Sequence, residues 1–451
     1  MTAFMATQVS KPAAGAERPT HVRYGVIVFA VTLAIITYID RVCISQAAPR
    51  MSKDLGFSEV QMGYIFAAFA WAYALFEIPS GFLGDWMGPR RVLMRIVIWW
   101  SFFTAATGWA FSFVSMAVTR FLFGAGEAGC FPNLTKAFTI WLPQDERVRA
   151  QGIMWLSARW GGAFTPFLVV MVFKLVDWRR AFEIFGALGL VWALVFYLWF
   201  RDHPREKAGL NDAERELLRP NESLAAGHAR VPWATFLFSR QVWLLCLQYA
   251  FLSYGWYFYI TWLPSYLSKA RHMEITQGAL LAGLPLFLGG LGSLVCGFLS
   301  GPLHRLTGSV AKTRRLMAYL GFTGASGLLL LSTRFDNPWL AMLAMGFASF
   351  SNDLVMPGSW GACMDVGGRY AGTLSGAMNM AGNIGGALSP MMIGYMLKWT
   401  HSNWDFTFYV SAAVYFMGIF CWIALDPVTP LGESKRGPIE RFFRGEAGRT
   451  A

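Results

Sequence analysis

The chain is poor in charge. Asp, Glu, Lys and Arg make up 14% of its 451 residues, against about a quarter in soluble domains. It is equally poor in metal or disulfide patterning. Six cysteines (Cys43, Cys130, Cys246, Cys296, Cys363, Cys421) fall in or at the ends of apolar segments with no C-x-x-C pair. Six histidines (His21, His203, His228, His272, His304, His401) sit in tails or loops without ligand spacing. Neither a metal site nor a disulfide is expected from them. No nucleotide-binding glycine loop and no nucleophile–base pair is present, so no enzyme activity and no cofactor is expected. The polar stretches are too short for a sensor domain, which disfavours a membrane receptor. The first 20 residues contain no apolar core followed by a small-residue cleavage site, and no removable leader is expected.

What is abundant is apolar sequence: 55% of residues are hydrophobic and the mean hydropathy is +0.42. Runs such as YGVIVFAVTLAIITYI and LVWALVFYLWF approach the roughly 20 residues needed to cross a bilayer core. Twelve such segments are expected, near 22–46, 58–80, 88–110, 112–138, 148–172, 178–200, 240–268, 275–302, 312–333, 337–362, 370–398 and 404–426. The predicted fold class is therefore all-α and polytopic, with twelve transmembrane helices in two six-helix halves. Expected divisions are a tail over 1–21, halves over 22–200 and 240–426, a linker over 201–239 and a second tail over 427–451. Within the linker, NDAERELL has a capping residue and an acidic first turn, predicting a short surface helix. Gly124 and Gly126, Gly161 and Gly162, and Gly382, Gly385 and Gly386 lie inside apolar segments and fit close helix approach.

A net charge of +12 would suggest nucleic acid in a soluble protein, but here the cations follow loops. About 25 Lys and Arg fall on the side of the termini, about 9 on the other and about 4 inside the segments. Both termini are accordingly expected in the cytoplasm, with membrane lipid and not nucleic acid as the surrounding partner. The glycosylation-like NES at Asn221 then lies on the wrong side and is set aside.

Charges inside the apolar segments are the informative exceptions, since each costs at least about 2.5 to 3.5 kcal/mol at mid-bilayer and usually faces a cavity. They are Asp40 and Arg41 in the first segment, Arg120 and Glu127 in the fourth, Arg159 in the fifth and Asp353 in the tenth. Tyr38 and Arg41 share a helical face, with Asp40 turned about 100° away. Arg120 and Glu127 share a face about 10 Å apart, as two stations on one wall. Asn379 and Asn383 are four apart in the eleventh segment. Buried acids and arginines also pair simply to fix packing, and that reading leads for Glu77 and Lys136 near segment ends. Tyr73, Trp155 and Trp360 are, taken singly, ordinary core residues.

The loop GFLGDWMGPRR, with Gly81, Asp85, Gly88, Arg90 and Arg91, resembles the signature gating loop of the major facilitator superfamily. The corresponding place in the second half, GFLSGPLHRLTG, has Gly301 where an acid would stand. YIDR, AFAWAYALFEIPSG, RFLFGAGEAGCFPN and SGAMNMAGNIGGALSPMMIGY together resemble the anion:cation symporters of that superfamily, in particular the bacterial sugar-acid branch of galactonate and glucarate proton symporters. That resemblance implies that Arg41 and Arg120 hold a substrate carboxylate and that Asp40 and Glu127 carry protons. It places Tyr38, Tyr73, Trp360 and Asn379 on the pocket wall. It also implies a monomer in a bacterial inner membrane. Where the galactonate branch has Gln, SARWGGAF places Arg159. This extra arginine fits either a more anionic substrate, such as an aldarate, or an internal salt bridge to Asp353.

The expected activity is proton-coupled uptake of a small organic anion, a hexonate, aldarate or other carboxylate, by alternating access. A unit charge about 10 Å away at an effective dielectric near 20 is worth about 1.7 kcal/mol, so proton and anion binding reinforce each other. Phosphate as cargo and sodium as coupling ion remain alternatives within the family. A proton-driven exporter is disfavoured by three cavity arginines.

Overall fold

The computed structural model describes residues 17–225, 231–273 and 281–431. Most of both tails, His228 and the start of the eighth expected segment lie outside the described residues. The N-terminal half contains α1 (Gly25–Leu55), α2 (Glu59–Met87), α3 (Pro89–Trp109), α4 (Phe113–Glu127), α5 (Cys130–Trp141), α6 (Gln144–Leu175) and α7 (Trp178–Trp199). A connection carrying α8 (Asp212–Leu218) and α9 (Trp233–Phe238) leads to α10 (Arg240–Thr261) and α11 (Leu263–Lys269). Then come α12 (Leu284–Thr307), α13 (Val310–Ser332), α14 (Pro338–Gly367), α15 (Ala371–Trp399) and α16 (Trp404–Ala424). No strand occurs among the described residues.

Local chemistry sets the helix ends. Ser58 Oγ accepts from Gln61 N at 3.2 Å and Gln61 Oε1 accepts from Ser58 N at 2.9 Å, a reciprocal cap at the start of α2. Proline opens α3 directly after Gly88, whose φ of +89° ends α2.

The fourth apolar segment, expected as one helix, is broken. Gly129 sits at φ +83°, and a Cβ there would lie 2.3 Å from Ser80 Cβ. The glycine thus permits both the left-handed turn and the close approach of α2. The break leaves Glu127 at the last turn of α4 and starts α5 anew.

The described ends of the chain, around Thr20 and Leu431, the long connection and the helix ends around it gather on one face of the bundle, here the terminal face. The predicted short helix forms as α8, with Asn211 Oδ1 accepting from Glu214 N at 3.0 Å. It is not confined to the surface. Glu214 is fully buried and pairs with Arg23 at 2.9 Å. Arg23 pairs in turn with Glu146 at 2.8 Å. Asn221, the residue of the NES triplet, is buried, accepting from Arg147 at 3.0 Å and donating to the Leu142 carbonyl at 2.9 Å.

The halves meet along two seams, α2 against α15 and α6 against α12. On the terminal face the first seam is stitched by Asp85. Its carboxylate accepts from Gly372 N at 3.0 Å, Thr373 N at 2.6 Å and Thr373 Oγ1 at 2.7 Å, with Lys136 Nζ at 3.3 Å. Lys136 also donates to the Arg369 carbonyl at 2.6 Å. Arg147 and Arg314 both pair with Asp365 at 2.6 Å, tying α6 to α13 and α14. Toward the opposite face the halves share fewer polar contacts, among them Trp160 Nε1 donating to the Phe287 carbonyl at 3.3 Å and, one residue earlier on α6, the pair of Arg159 with Asp353. The bundle is therefore closed on the terminal face.

Candidate anion site in the central cavity

Between the halves lies a cavity with about 560 Å³ of atom-free space, part of it open to solvent. The N-terminal half contributes Tyr38 and Arg41 from α1, Tyr73 from α2, Phe131 from α5, and Trp155 and Arg159 from α6. The C-terminal half contributes Tyr249, Trp256 and Tyr257 from α10, Asn352 and Met356 from α14, and Asn379 and Asn383 from α15.

Arg41 is the cation open to this space, its side chain 22% exposed. Its Nε donates to the buried carboxylate of Glu127, which α4 presents at the helix break. The guanidinium also lies 4.4 Å from the centroid of Tyr73, a cation–π contact. Arg159 is held differently. Its Nε and Nη2 donate to Asp353 at 2.8 and 3.0 Å in a bidentate pair spanning the halves, and its guanidinium stacks 3.9 Å from Trp256. Of the two readings of Arg159, the internal salt bridge is the one formed in this state.

Four expected site residues are not on the cavity surface: Glu127, buried behind Arg41, and Asp40, Arg120 and Trp360. Asp40 is 1% exposed, and neither carboxylate oxygen has a hydrogen-bond partner among the described residues. Arg120 is 2% exposed, lies 4.0 Å from the Phe123 centroid, and its Nε and Nη1 have no hydrogen-bond partner among the described residues. Both sit inside the N-terminal half behind Arg41, so Arg120 is not poised as a second clamp in this state. Trp360 is fully buried, donating from Nε1 to Tyr249 Oη at 3.2 Å and packing 5.3 Å from Trp155. It helps to close the cavity toward the terminal face.

In the signature loop, Asp85 works in the seam, and a Cβ on Gly81 would lie 2.3 Å from the Gly372 carbonyl oxygen. Arg90 turns elsewhere, its N–H donating to Asp202 at 2.9 Å and its guanidinium to the Tyr197 carbonyl at 2.7 Å. Arg91 is exposed. Gly301 faces open space.

Sequence reasoning missed the α10 wall. Tyr249, Ser253, Trp256 and Tyr257 recur at the spacing of one helical face, a signal obscured because the surrounding positions are aromatic too.

A family model described as Major Facilitator Superfamily matches residues 30–390. The chain belongs to the Major Facilitator Superfamily. It is similar to the probable sulfoacetate transporter SauU of Cupriavidus necator, 35% identical over 87% of this chain and 91% of that protein. It is also similar to the probable galactarate/D-glucarate transporter GudP of Escherichia coli, 30% identical over 95% of this chain and 98% of that protein. Among solved structures, the proton:xylose symporter XylE matches with a TM-score of 0.72 at 13% identity, covering 91% of this chain and 98% of that one. At that identity the likeness concerns the fold alone. This major facilitator protein is a transporter, and its cavity lies where the two halves of the fold face each other.

Proposed function

We propose that this major facilitator protein takes up a small organic anion together with protons, across a bacterial inner membrane with both termini in the cytoplasm. The observation that carries the reading is the pairing of Arg41, on the cavity wall, with the buried Glu127. An arginine whose counter-ion is a carboxylate is a poor anion site until that carboxylate is neutralised. Protonation of Glu127 frees the Arg41 guanidinium for a substrate carboxylate or sulfonate, and a bound anion in turn favours the proton on Glu127. Asp40, buried behind the same wall, is the second proton carrier of this reading. With the terminal face cytoplasmic, the state described is closed to the cytoplasm and loads from outside. Rocking of the halves opens the terminal face, and deprotonation there returns Glu127 to Arg41 and expels the anion.

The neutral wall opposite supports a polar, hydroxylated or similarly compact substrate. Asn352, Asn379, Asn383 and Tyr257 offer donors and acceptors without charge. The relatives named for galactarate/D-glucarate, D-galactonate and sulfoacetate support the sugar-acid and small-acid range. Two protons with a monoanion move one positive charge inward, aided by about 2.3 kcal/mol per 100 mV; two protons with a dianion make the cycle electroneutral.

Proteoliposomes carrying the purified protein test this. Labelled glucarate, galactonate and sulfoacetate are offered under an inward pH gradient, with phosphate and a sodium gradient as control arms. Glu127→Gln is expected to abolish gradient-driven accumulation while retaining anion counterflow. Undiminished accumulation in that variant would remove Glu127 from coupling, and accumulation driven only by sodium would replace the proton.

A further inference from the structure

Glu77 lies on α2 in the seam between the halves, below the cavity. It takes no part in the anion chemistry proposed above. Its side chain is fully buried. Oε1 accepts a hydrogen bond from Asn379 Nδ2 of α15 at 2.6 Å, and Tyr73 Oη shares the same amide at 3.3 Å. Oε2 has no hydrogen-bond partner among the described residues.

The cations nearby are already engaged. Arg41 of α1 pairs with Glu127 of α4, Lys136 of α5 pairs with Asp85, and Arg95 of α3 donates to Ser80 Oγ at 3.3 Å. From α15 the facing groups are the Asn379 amide and Gly376, whose added Cβ would lie 2.8 Å from the Glu77 carbonyl oxygen. The Cys130 thiol of α5 and the Tyr73 phenol complete the titratable surroundings.

An ionised carboxylate offers about four lone-pair sites, and here only the Asn379 amide and the neighbouring Tyr73 phenol are at hand to meet them, with no cation paired to it among the described residues. A neutral acid in the same place keeps the Asn379 bond and avoids burying an unpaired charge. The terminal face cannot open without parting α2 from α15, and that movement exposes Glu77 to water.

We propose that Glu77 is a proton-binding site coupled to the terminal gate and not to the anion. It bridges α2 to α15 as a neutral carboxylic acid while the seam is closed. When the helices part, its O–H bond breaks, the proton passes to water in the opened vestibule, and the electron pair stays on the carboxylate. By linkage, acid favours the closed seam and alkali the open one. A tenfold difference in proton affinity between the states shifts the open-to-closed ratio by up to about tenfold. The inference rests on the alternating-access reading but on no particular substrate.

The test uses the full-length protein in lipid nanodiscs without any anion. Nitroxide labels are placed at Asp145→Cys and Lys312→Cys, exposed positions on opposite halves of the terminal face, and inter-label distances are recorded from acid to alkaline pH. The parent protein is expected to gain the longer-distance population by up to about tenfold. Glu77→Gln, neutral yet able to accept from Asn379, is expected to stay closed throughout, whereas Glu127→Gln keeps the shift. pH-difference infrared spectra should show a buried carboxylic acid band that Glu77→Gln lacks. The proposal is overturned by a pH shift that persists in Glu77→Gln, by its loss in Glu127→Gln, by a parent protein closed at every pH, or by an unchanged acid band. Failure of every anion to accumulate in liposomes would sink the symport reading and leave this measurement standing.

Discussion

Two arginines line the cavity, each paired with a buried carboxylate, and the two pairs differ in exposure and connectivity. Arg41 and Glu127 belong to the same half, and Arg41 remains 22% exposed toward the cavity. Arg159 and Asp353 belong to opposite halves, form a bidentate pair, and are 4% and 0% exposed. A partly wet pair within one half can open to a ligand without moving the halves. A dry bidentate pair across the seam fixes how the halves meet. On the proposed reading the same residue chemistry serves as a switchable counter-ion in one place and a strut in the other, the two differing in exposure and connectivity.

The sharpest way to break that contrast is to unpair the strut. Arg159→Gln leaves Asp353 buried without its cation, an expected loss of about 3 to 5 kcal/mol in stability, whereas Arg159→Gln with Asp353→Asn recovers most of it. Thermal unfolding in detergent measures both. If the single and double variants unfold alike while dianions alone lose binding, Arg159 is a substrate ligand and the strut assignment fails.

Next in size is Arg41→Ala, expected to weaken anion binding by at least about 2 kcal/mol, or roughly thirtyfold, while changing thermal stability less than Arg159→Gln does. Anion-induced thermal stabilisation reads the first quantity, and anion-free melting reads the second. Asp85→Asn weakens the accepting group of three hydrogen bonds and the Lys136 pair on the terminal seam. A shift of about 1 to 2 kcal/mol toward the open terminal face is expected, visible as faster thiol labelling of cavity positions from that side. The smallest effect belongs to the uncharged wall. Tyr257→Phe removes the hydroxyl that donates to Asn383 at 3.4 Å and should change affinity by under about 1 kcal/mol, measured by counterflow competition.

Much of the fold was legible because hydropathy is written residue by residue. Described helices lie over each expected apolar segment, and among the described residues nine helical stretches are long and apolar enough to cross a membrane, α14 and α15 running together as one. The break before Cys130 was not legible, because GAGEAGC reads as helix until Ser80 of α2 is brought against Gly129. Of the expected pocket residues, Tyr38, Arg41, Tyr73, Arg159 and Asn379 reach the cavity, while Arg120 and Trp360 are packed behind it. Spacing put Arg120 and Glu127 on one face of one helix. It said nothing of Phe69 and Phe123, whose rings flank the Arg120 guanidinium.

Glu77 shows the same limit from the other side. In sequence it is one acid near a helix end, for which a packing role is the ordinary reading. In the folded chain it meets Asn379, 302 residues away, across the seam between the halves.

What the sequence determined by itself is the solvent and the class of machine. Apolar length, cation bias and the motifs of YIDR and GFLGDWMGPRR act locally, because transfer into lipid and helix formation are properties of consecutive residues. Which charge neutralises which was decided only by tertiary structure. Arg159 and Asp353 are 194 residues apart, and Coulomb energy at contact depends on distance through space and on the burial that other helices provide.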